Sequence, residues 1–424
     1  MVKYTIGFYQ ECPSSWYLPR FRYIIITIME YSTAYSEVLL NCMLGLTEGD
    51  GLSINSDIEQ LDFATELAQT ACEITRQQVN VVAIDSGVPK DVLPFTPVEH
   101  DQLLSNPTVY ALLRLDNERF RREKPDVSPE TIIKDFSMLQ KVGNLAPPQL
   151  DKTMAPWAVA PVPSDSWAKS LFGDTANEQQ LYKALAPIFK LDSVNPAQAW
   201  REQMALINHR TTLLNRYDFQ RLRIEHEETK FSIRFARSSQ WNNGIVLLDS
   251  GRWFIPHLPL ERVTLLPDYS TMEGVLTASG SFKLLGETVE QARLVCRNGK
   301  VVETWAEQGL DVLNLACSFD EGSGRIGEVS LVDEGNEIGR FGYSNSYIGF
   351  DENATGSVLF GMGEASHIEN LYRFDNLEDV RLQTGCNISD LRFRFPFGGP
   401  LLTVEGETPS GEIVTIIENG VFIL

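Results

Sequence analysis

The chain has 424 residues, 36 basic and 57 acidic side chains, and a formal net charge of −21. At roughly 150 residues per domain that length implies two or three domains, and an apolar fraction of 43% with 21 prolines excludes a disordered or collagen-like chain. So negative a chain, with no Lys/Arg cluster strong enough to offset the charge locally, excludes nucleic acid as a main partner and offers no positive stripe to an anionic membrane.

Val2, Tyr4, Ile6 and Phe8 alternate through VKYTIGFYQE, the period of a half-buried strand. A turn-rich CPSSWYLP and the β-branched FRYIIITIM follow, so residues 1–29 read as a β-hairpin ahead of the main domain. A strand–helix alternation then begins. GDGLSIN (Gly49–Asn55) is a strand, residues 58–77 carry apolar positions at helical spacing, and VNVVAID (Val79–Asp85) is a strand apolar on both faces. Strand-like Thr108–Leu115, a helix from Ser128 to about Val142 and strand-like Pro156–Pro163 continue the pattern. Ser164 or Asp165 caps the next helix, and Asn195–Pro196 supplies an N-cap and N1 proline to a long helix ending near Tyr217. This alternation predicts an α/β sandwich over 30–220. From about Arg221 strands dominate (KFSIRFAR, RLVCRNGKVVETW, GEVSLVD, EIVTIIENGVF), with one helix near Glu307–Cys317, so 221–424 reads as a β-rich α+β domain.

The longest apolar run, Tyr23–Met29, is far short of the roughly 20 residues of a bilayer span, and it lacks a signal-peptide cleavage site. Six scattered cysteines (Cys12, Cys42, Cys72, Cys296, Cys317, Cys386) form no CxxC pair, which fits reduced thiols in a cytoplasm. Gly322, Gly324 and Gly327 spell GxGxxG, but a helix precedes them and a strand follows, the reverse of a dinucleotide fingerprint, so they mark a turn. No GxSxG, P-loop or HExxH occurs. His100, His209, His226 and His367 have no partner at helical metal spacing and read as surface or satisfied histidines. The acidic IEHEETK (Ile224–Lys230) reads as a solvated strand edge, and the basic Arg114–Lys124 run as a solvated loop or, alternatively, a dock for an acidic partner.

Eight segments in order carry a family resemblance: VLLNCMLGLTEGDGLSINSDIEQLDFATELAQTACEITRQQVNVVAID, APWAVAPVPSDSWAKSLFGD, NPAQAWREQMALINHRTTLLN, Trp241 to Gly244, PHLPLERV, GRIGEVSLV, FDENATGSVLFG and LRFRFPFGG. From about Met29 to Leu424 the chain resembles the metalloaminopeptidases of the aminopeptidase T, aminopeptidase S and PepS group. The resemblance implies a two-domain fold, an α/β sandwich with a mostly parallel sheet followed by an α+β domain that encloses the active-site cavity, and a homodimer. It also implies two divalent metals held by carboxylates and histidines, which would clamp the reacting oxygens and acidify a bound water.

Carried across one at a time, those metal positions have mostly changed. The first glutamate falls on Arg262, the bridging one survives as Glu328, a histidine falls on Ser357, a tyrosine on Glu364, and the C-terminal histidine–aspartate pair on Arg392 and Arg394. A different register of the last pair offers Asn387 and Ser389. Arginine is always charged and repels a metal from the same shell, so neither metal nor cofactor is expected. Two readings of the cavity stand: an internal salt-bridge cluster of Arg262, Arg392 and Arg394 with Glu328 and Glu364, or a net positive pocket for a peptide carboxylate. By fold analogy, the expectation is a catalytically inactive binding module for a peptide or protein, presenting a precursor peptide in a natural-product pathway. The alternatives are new metal-free chemistry through Glu328 and Glu364, or a structural subunit beside an active homologue.

Overall fold

The first half of the chain builds a parallel sheet whose inner apolar runs are buried on both faces, whereas the outer run Val79–Ala83, expected to be apolar and covered on both faces, lies at the sheet edge and is only partly buried. In the computed structural model of this protein the described residues are 25–56, 58–83, 110–115, 128–131, 133, 156–237, 239–248, 250–340, 355–363, 374 and 376–424. Strands β1 (Gly51–Ser56), β2 (Val79–Ala83), β3 (Tyr110–Leu115) and β4 (Trp157–Ala160) pair in the order β2-β1-β3-β4, every neighbour parallel. Around them lie α1 (Ile25–Glu37), continued by a π-helical turn over Val38–Met43, α2 (Leu61–Thr75), α3 (Asp165–Phe172), α4 (Glu178–Leu185) and α5 (Pro196–Arg216). The caps are those the sequence implies. Ser164 accepts from the Trp167 amide at 3.2 Å, and Asn195 from the Gln198 amide at 2.9 Å. A capping box of Asn177 and Gln180 starts α4, a helix the sequence reading did not single out. Of the helix expected from Ser128 to Val142, residues 129–131 and 133 are helical, Ser128 is not, and the rest lies outside the described residues.

Two expectations are corrected. Residues 1–24 of the expected hairpin lie outside the described residues, but Ile25–Met29 are helical and open α1. The later part of the same helix explains why: Tyr35 is fully buried, stacks on Phe189 at 4.9 Å and donates its hydroxyl to the Pro161 carbonyl at 2.6 Å. Packing of that end overrides the strand preference of a β-branched run. The IEHEETK segment is no sheet edge either. It is the tight turn between β5 (Arg221–His226) and β6 (Thr229–Arg234), with Glu227 at φ +47°, and the two strands sit in the middle of an eight-stranded sheet. Leu222, Ile224, Phe231 and Ile233 are buried beneath it while the charged residues alternate outward.

Two short hairpins, β7 (Val246–Leu247) with β8 (Trp253–Phe254) and β11 (Phe282–Leu284) with β12 (Glu287–Val289), accompany two antiparallel sheets. The larger sheet adds β10 (Glu273–Thr277), β13 (Arg293–Arg297), β14 (Lys300–Trp305), β18 (Thr403–Glu407), β19 (Ile413–Glu418) and β20 (Val421–Phe422), in the order β14-β13-β10-β6-β5-β18-β19-β20. The smaller sheet has the order β17-β16-β15-β9, from β9 (Arg262–Leu265), β15 (Ile326–Val332), β16 (Gly356–Gly361) and β17 (Arg392–Phe397). Helices α6 (Leu310–Cys317), α7 (Glu337–Arg340) and α8 (Leu377–Thr384) complete this half. Gly322 and Gly324 of the GxGxxG stretch lie in a turn, as expected, while Gly327 is already in β15, and the glycines are there for close approach. A Cβ on Gly322 would lie 1.8 Å from the Ile388 carbonyl, and one on Gly327 would lie 2.1 Å from that of Gly361.

The two halves are stitched together by residues that follow Asn243. The Val159 amide donates to the Pro256 carbonyl at 2.8 Å, and Val159 pairs with His257 as a parallel bridge, so this segment extends the parallel sheet past β4. Leu248 and Phe254 join Leu112, Trp157 and Val159 in a buried cluster. Arg252 grips Asp50 with both ends of its fork, at 2.8 and 3.1 Å, and the buried Asp50 carboxylate also accepts from the Thr47 amide at 2.8 Å. Cys42, Cys72, Cys296, Cys317 and Cys386 are free, and burial pushes the Cys42 thiol up to about 11 and that of Cys317 to about 12. Among the described residues no helix is long and apolar enough to cross a membrane.

Arg252→Met should destabilise the chain by about 3 kcal/mol, because it leaves the Asp50 charge buried without its bidentate partner. Urea unfolding of the purified variant measures this, and a loss no larger than that of an exposed surface substitution would contradict it.

Candidate functional site

The smaller antiparallel sheet has one apolar and one polar face, and the polar one gathers the candidate residues. In RFRFPF of β17, Phe393, Phe395 and Phe397 point into the core, where Phe395 meets Phe282 at 5.3 Å and Phe397 meets Phe231 at 5.4 Å. The alternation of a strand then sends Arg392 and Arg394 to the other side. The same rule places Val329 and Leu331 of β15, Val358 and Phe360 of β16, and Val263 and Leu265 of β9 in the core. Residues directly opposite in an antiparallel ladder share a face. Ser330 stands opposite both Ser357 and Thr264, Leu359 opposite both Glu328 and Arg394, Gly361 opposite Arg392, and Val332 opposite Arg262.

At the centre of that face the Arg394 guanidinium is bound on three sides. Its Nη1 donates to Ser330 Oγ at 3.1 Å and to Ser357 Oγ at 3.2 Å, and its Nη2 donates to Glu328 Oε1 at 3.3 Å. Glu328 is 3% exposed, and Ser330 and Ser357 are buried with it. The geometry is that of a buried ion pair whose fork is completed by two hydroxyls.

Five of the six expected positions (Arg262, Glu328, Ser357, Arg392 and Arg394) are therefore brought to one face, and Glu364 lies outside the described residues. The salt-bridge reading holds for Arg394 with Glu328. The three arginines do not converge, however: Arg262 and Arg392 belong to the two edge strands, which lie three strand spacings or roughly 14 Å apart, and they stand at opposite ends of the sheet. The other register is committed elsewhere. Asn387 Nδ2 donates to the carbonyls of Gly322, Arg325 and Gly361 at 2.8, 3.1 and 2.7 Å, and Ser389 Oγ donates to Asp320 at 2.9 Å. Glu261, the carboxylate beside Arg262, is occupied too. Gln203 Nε2 donates to it at 2.7 Å and Lys190 lies 3.9 Å away, while burial pushes its carboxyl above the ordinary range.

Sequence reasoning missed Ser330 and Thr264, both buried on this face. Period-two reading of GEVSLV and ERVTL, counted from Glu328 and Arg262, would have found them.

Among the described residues, the donor set on this face does not suit the metal pair of a peptidase. The one carboxylate at its centre, Glu328, already answers to a guanidinium, and a second cation in the same shell would be repelled. Among the described residues no group of three or more His, Cys, Asp or Glu side chains is arranged to hold a metal ion.

Comparison with known proteins agrees with this architecture. The sequence pattern of the family described as thermophilic metalloprotease (M29) matches residues 30–422. Aminopeptidase T of Thermus aquaticus is 26% identical over 401 residues, spanning 92% of this chain and 97% of that protein. Aminopeptidase AmpS of Bacillus subtilis is 25% identical over 405 residues, spanning 91% and 97%. The solved structure of wild-type AmpT from Thermus thermophilus superposes with a TM-score of 0.77 at 23% identity, covering 94% of this chain and all of that one. The fold is thus the two-domain α/β fold of these proteins.

Arg394→Met should cost about 3 kcal/mol of stability, since the buried Glu328 loses its guanidinium partner, whereas Arg394→Met with Glu328→Met should return to within about 1 kcal/mol of the wild type. A double-mutant cycle by chemical denaturation gives both numbers. Additive losses in the double variant would show that the two side chains are not coupled.

Proposed function

The chain belongs to the thermophilic metalloprotease (M29) family, and from that premise we propose that it is a catalytically inactive member that binds a peptide or protein. In this reading it works as a homodimer that presents a precursor peptide to partner enzymes of a peptide-modifying, natural-product pathway. One observation carries the reading: the guanidinium of Arg394 sits on Glu328, Ser330 and Ser357. Its relatives are named aminopeptidases, and a peptidase of two metals needs open carboxylates and neutral imidazoles around the reacting water. A fixed cation on the shared glutamate replaces that donor set with an ion pair that neither acidifies water nor polarises a carbonyl. What such a fold retains is a surface shaped for a peptide, so binding is the reuse that needs least change.

The test joins metal content, turnover and capture. Freshly purified protein should contain less than about 0.1 metal ion per chain by elemental analysis, show no hydrolysis of aminoacyl amides with added cobalt or zinc, and retain peptides from a tethered library. Two metals per chain with turnover would overturn the reading. Saturable metal-free turnover of an amide or ester, lost in Glu328→Gln, would overturn it in favour of new chemistry on the same face.

A further inference from the structure

Beyond the polar face, two arginines meet on one aromatic ring. The guanidinium carbons of Arg381, in α8, and Arg325, at the end of the 320–325 turn, lie 4.4 and 5.4 Å from the Tyr269 ring centroid. Their side chains are only 9% and 14% exposed. Among the described residues, the carboxylates that meet them are on the outside. Glu321, 65% exposed, accepts a hydrogen bond from Arg381 Nη2 and lies 3.9 Å from Arg325 Nη2. Glu378, 63% exposed, lies 3.8 Å from Arg381 Nη1. The Nε atoms of both arginines are buried without a hydrogen-bond partner.

This inverts an ordinary buried ion pair, in which both partners are fixed. Here the cations are fixed. Both lie against the ring, and Arg325 Nη1 also donates to the Asn298 carbonyl at 3.1 Å. The main neutralising group is a solvated side chain on a turn, and an exposed ion pair contributes little to stability. Burial, and after it the neighbouring Arg381 charge, pushes the Arg325 guanidinium below its usual range, while the hydrogen bond from Arg381 holds the Glu321 carboxyl low. When Glu321 swings into water, two Nη2 groups that already converge on one carboxylate are left facing solvent, beside an aromatic wall. Forked guanidiniums select planar carboxylates by geometry as well as charge.

We propose that Arg325, Arg381 and Tyr269 form a carboxylate-binding site for an acidic side chain or C-terminus, with Glu321 as its built-in competitor. The site is tied to the polar face. The Gly361 amide donates to the Arg325 carbonyl at 2.9 Å, and Gly361 stands opposite Arg392. That the carboxylate arrives on a peptide rests on the binding reading above; the anion site itself does not.

The experiment uses acetylglycine, a single carboxylate, against inorganic phosphate and chloride at matched ionic strength, read by calorimetric titration and melting temperature. Glu321→Gln should bind acetylglycine about fivefold more tightly than the wild type, because an internal competitor worth an exposed ion pair is gone. Acetylglycine should also restore the melting temperature that the substitution lowers. Adding Arg381→Lys in that background should abolish both responses. Equal responses to acetylglycine and chloride would overturn the site, and a response to phosphate alone would overturn its assignment to carboxylates. Peptide capture without an acetylglycine response would overturn this site only. An acetylglycine response with no peptide capture would overturn the binding-module reading and leave this site standing.

Discussion

A carboxylate in the middle of a sheet, if it is to stay ionised, has to be answered by a positive charge. Glu328 lies on β15, a strand buried along its whole length, and an unanswered charge there costs several kcal/mol. Two kinds of answer exist. A metal ion is drawn from solution, so the site depends on supply and can empty. A guanidinium is part of the chain, always charged, and brings five donors that need acceptors of their own. Ser330 and Ser357 supply two of those acceptors. The hydroxyls beside Glu328 and the arginine across from it are therefore one solution, and none of the three is intelligible alone.

Much of this was legible in the sequence, and the parts that were not share a cause. The strands at β1, β3 and β4, the N-caps at Ser164 and Asn195, and the turn at Gly322 and Gly324 are set by neighbours within a few residues, and each appears where the pattern put it. Ile25–Met29 were misread because the contacts that hold their helix, from Tyr35 to Phe189 and Pro161, come from more than a hundred residues away. IEHEETK was misread because its exposed charges say nothing about whether further strands pair on either flank. At the candidate face, residue identity was readable and mutual distance was not. The family resemblance puts three arginines at positions a metal site would use, but only the strand order separates Arg262 from Arg392 and leaves Arg394 on Glu328.

The polar face and the Tyr269 cluster are joined through backbone rather than side-chain charge. Asn387 collects three carbonyls, from Gly322, Arg325 and Gly361, with one amide group. The turn that carries Glu321 and the end of β16 opposite Arg392 are thereby held to one geometry. This is scaffolding of the kind that lets one fold carry different sites: the anchor is indifferent to what the neighbouring side chains do.

The parallel pairing of Val159 with His257 has a further consequence, in the time of synthesis. Until the segment around His257 leaves the ribosome, β4 is a bare sheet edge with the apolar Trp157 and Val159 beside it. Roughly a hundred residues separate the two, so at about 5–20 residues per second that edge stays open for roughly 5–20 s. During that interval the nascent first half is a template for any other strand, including that of a neighbouring nascent copy on the same message.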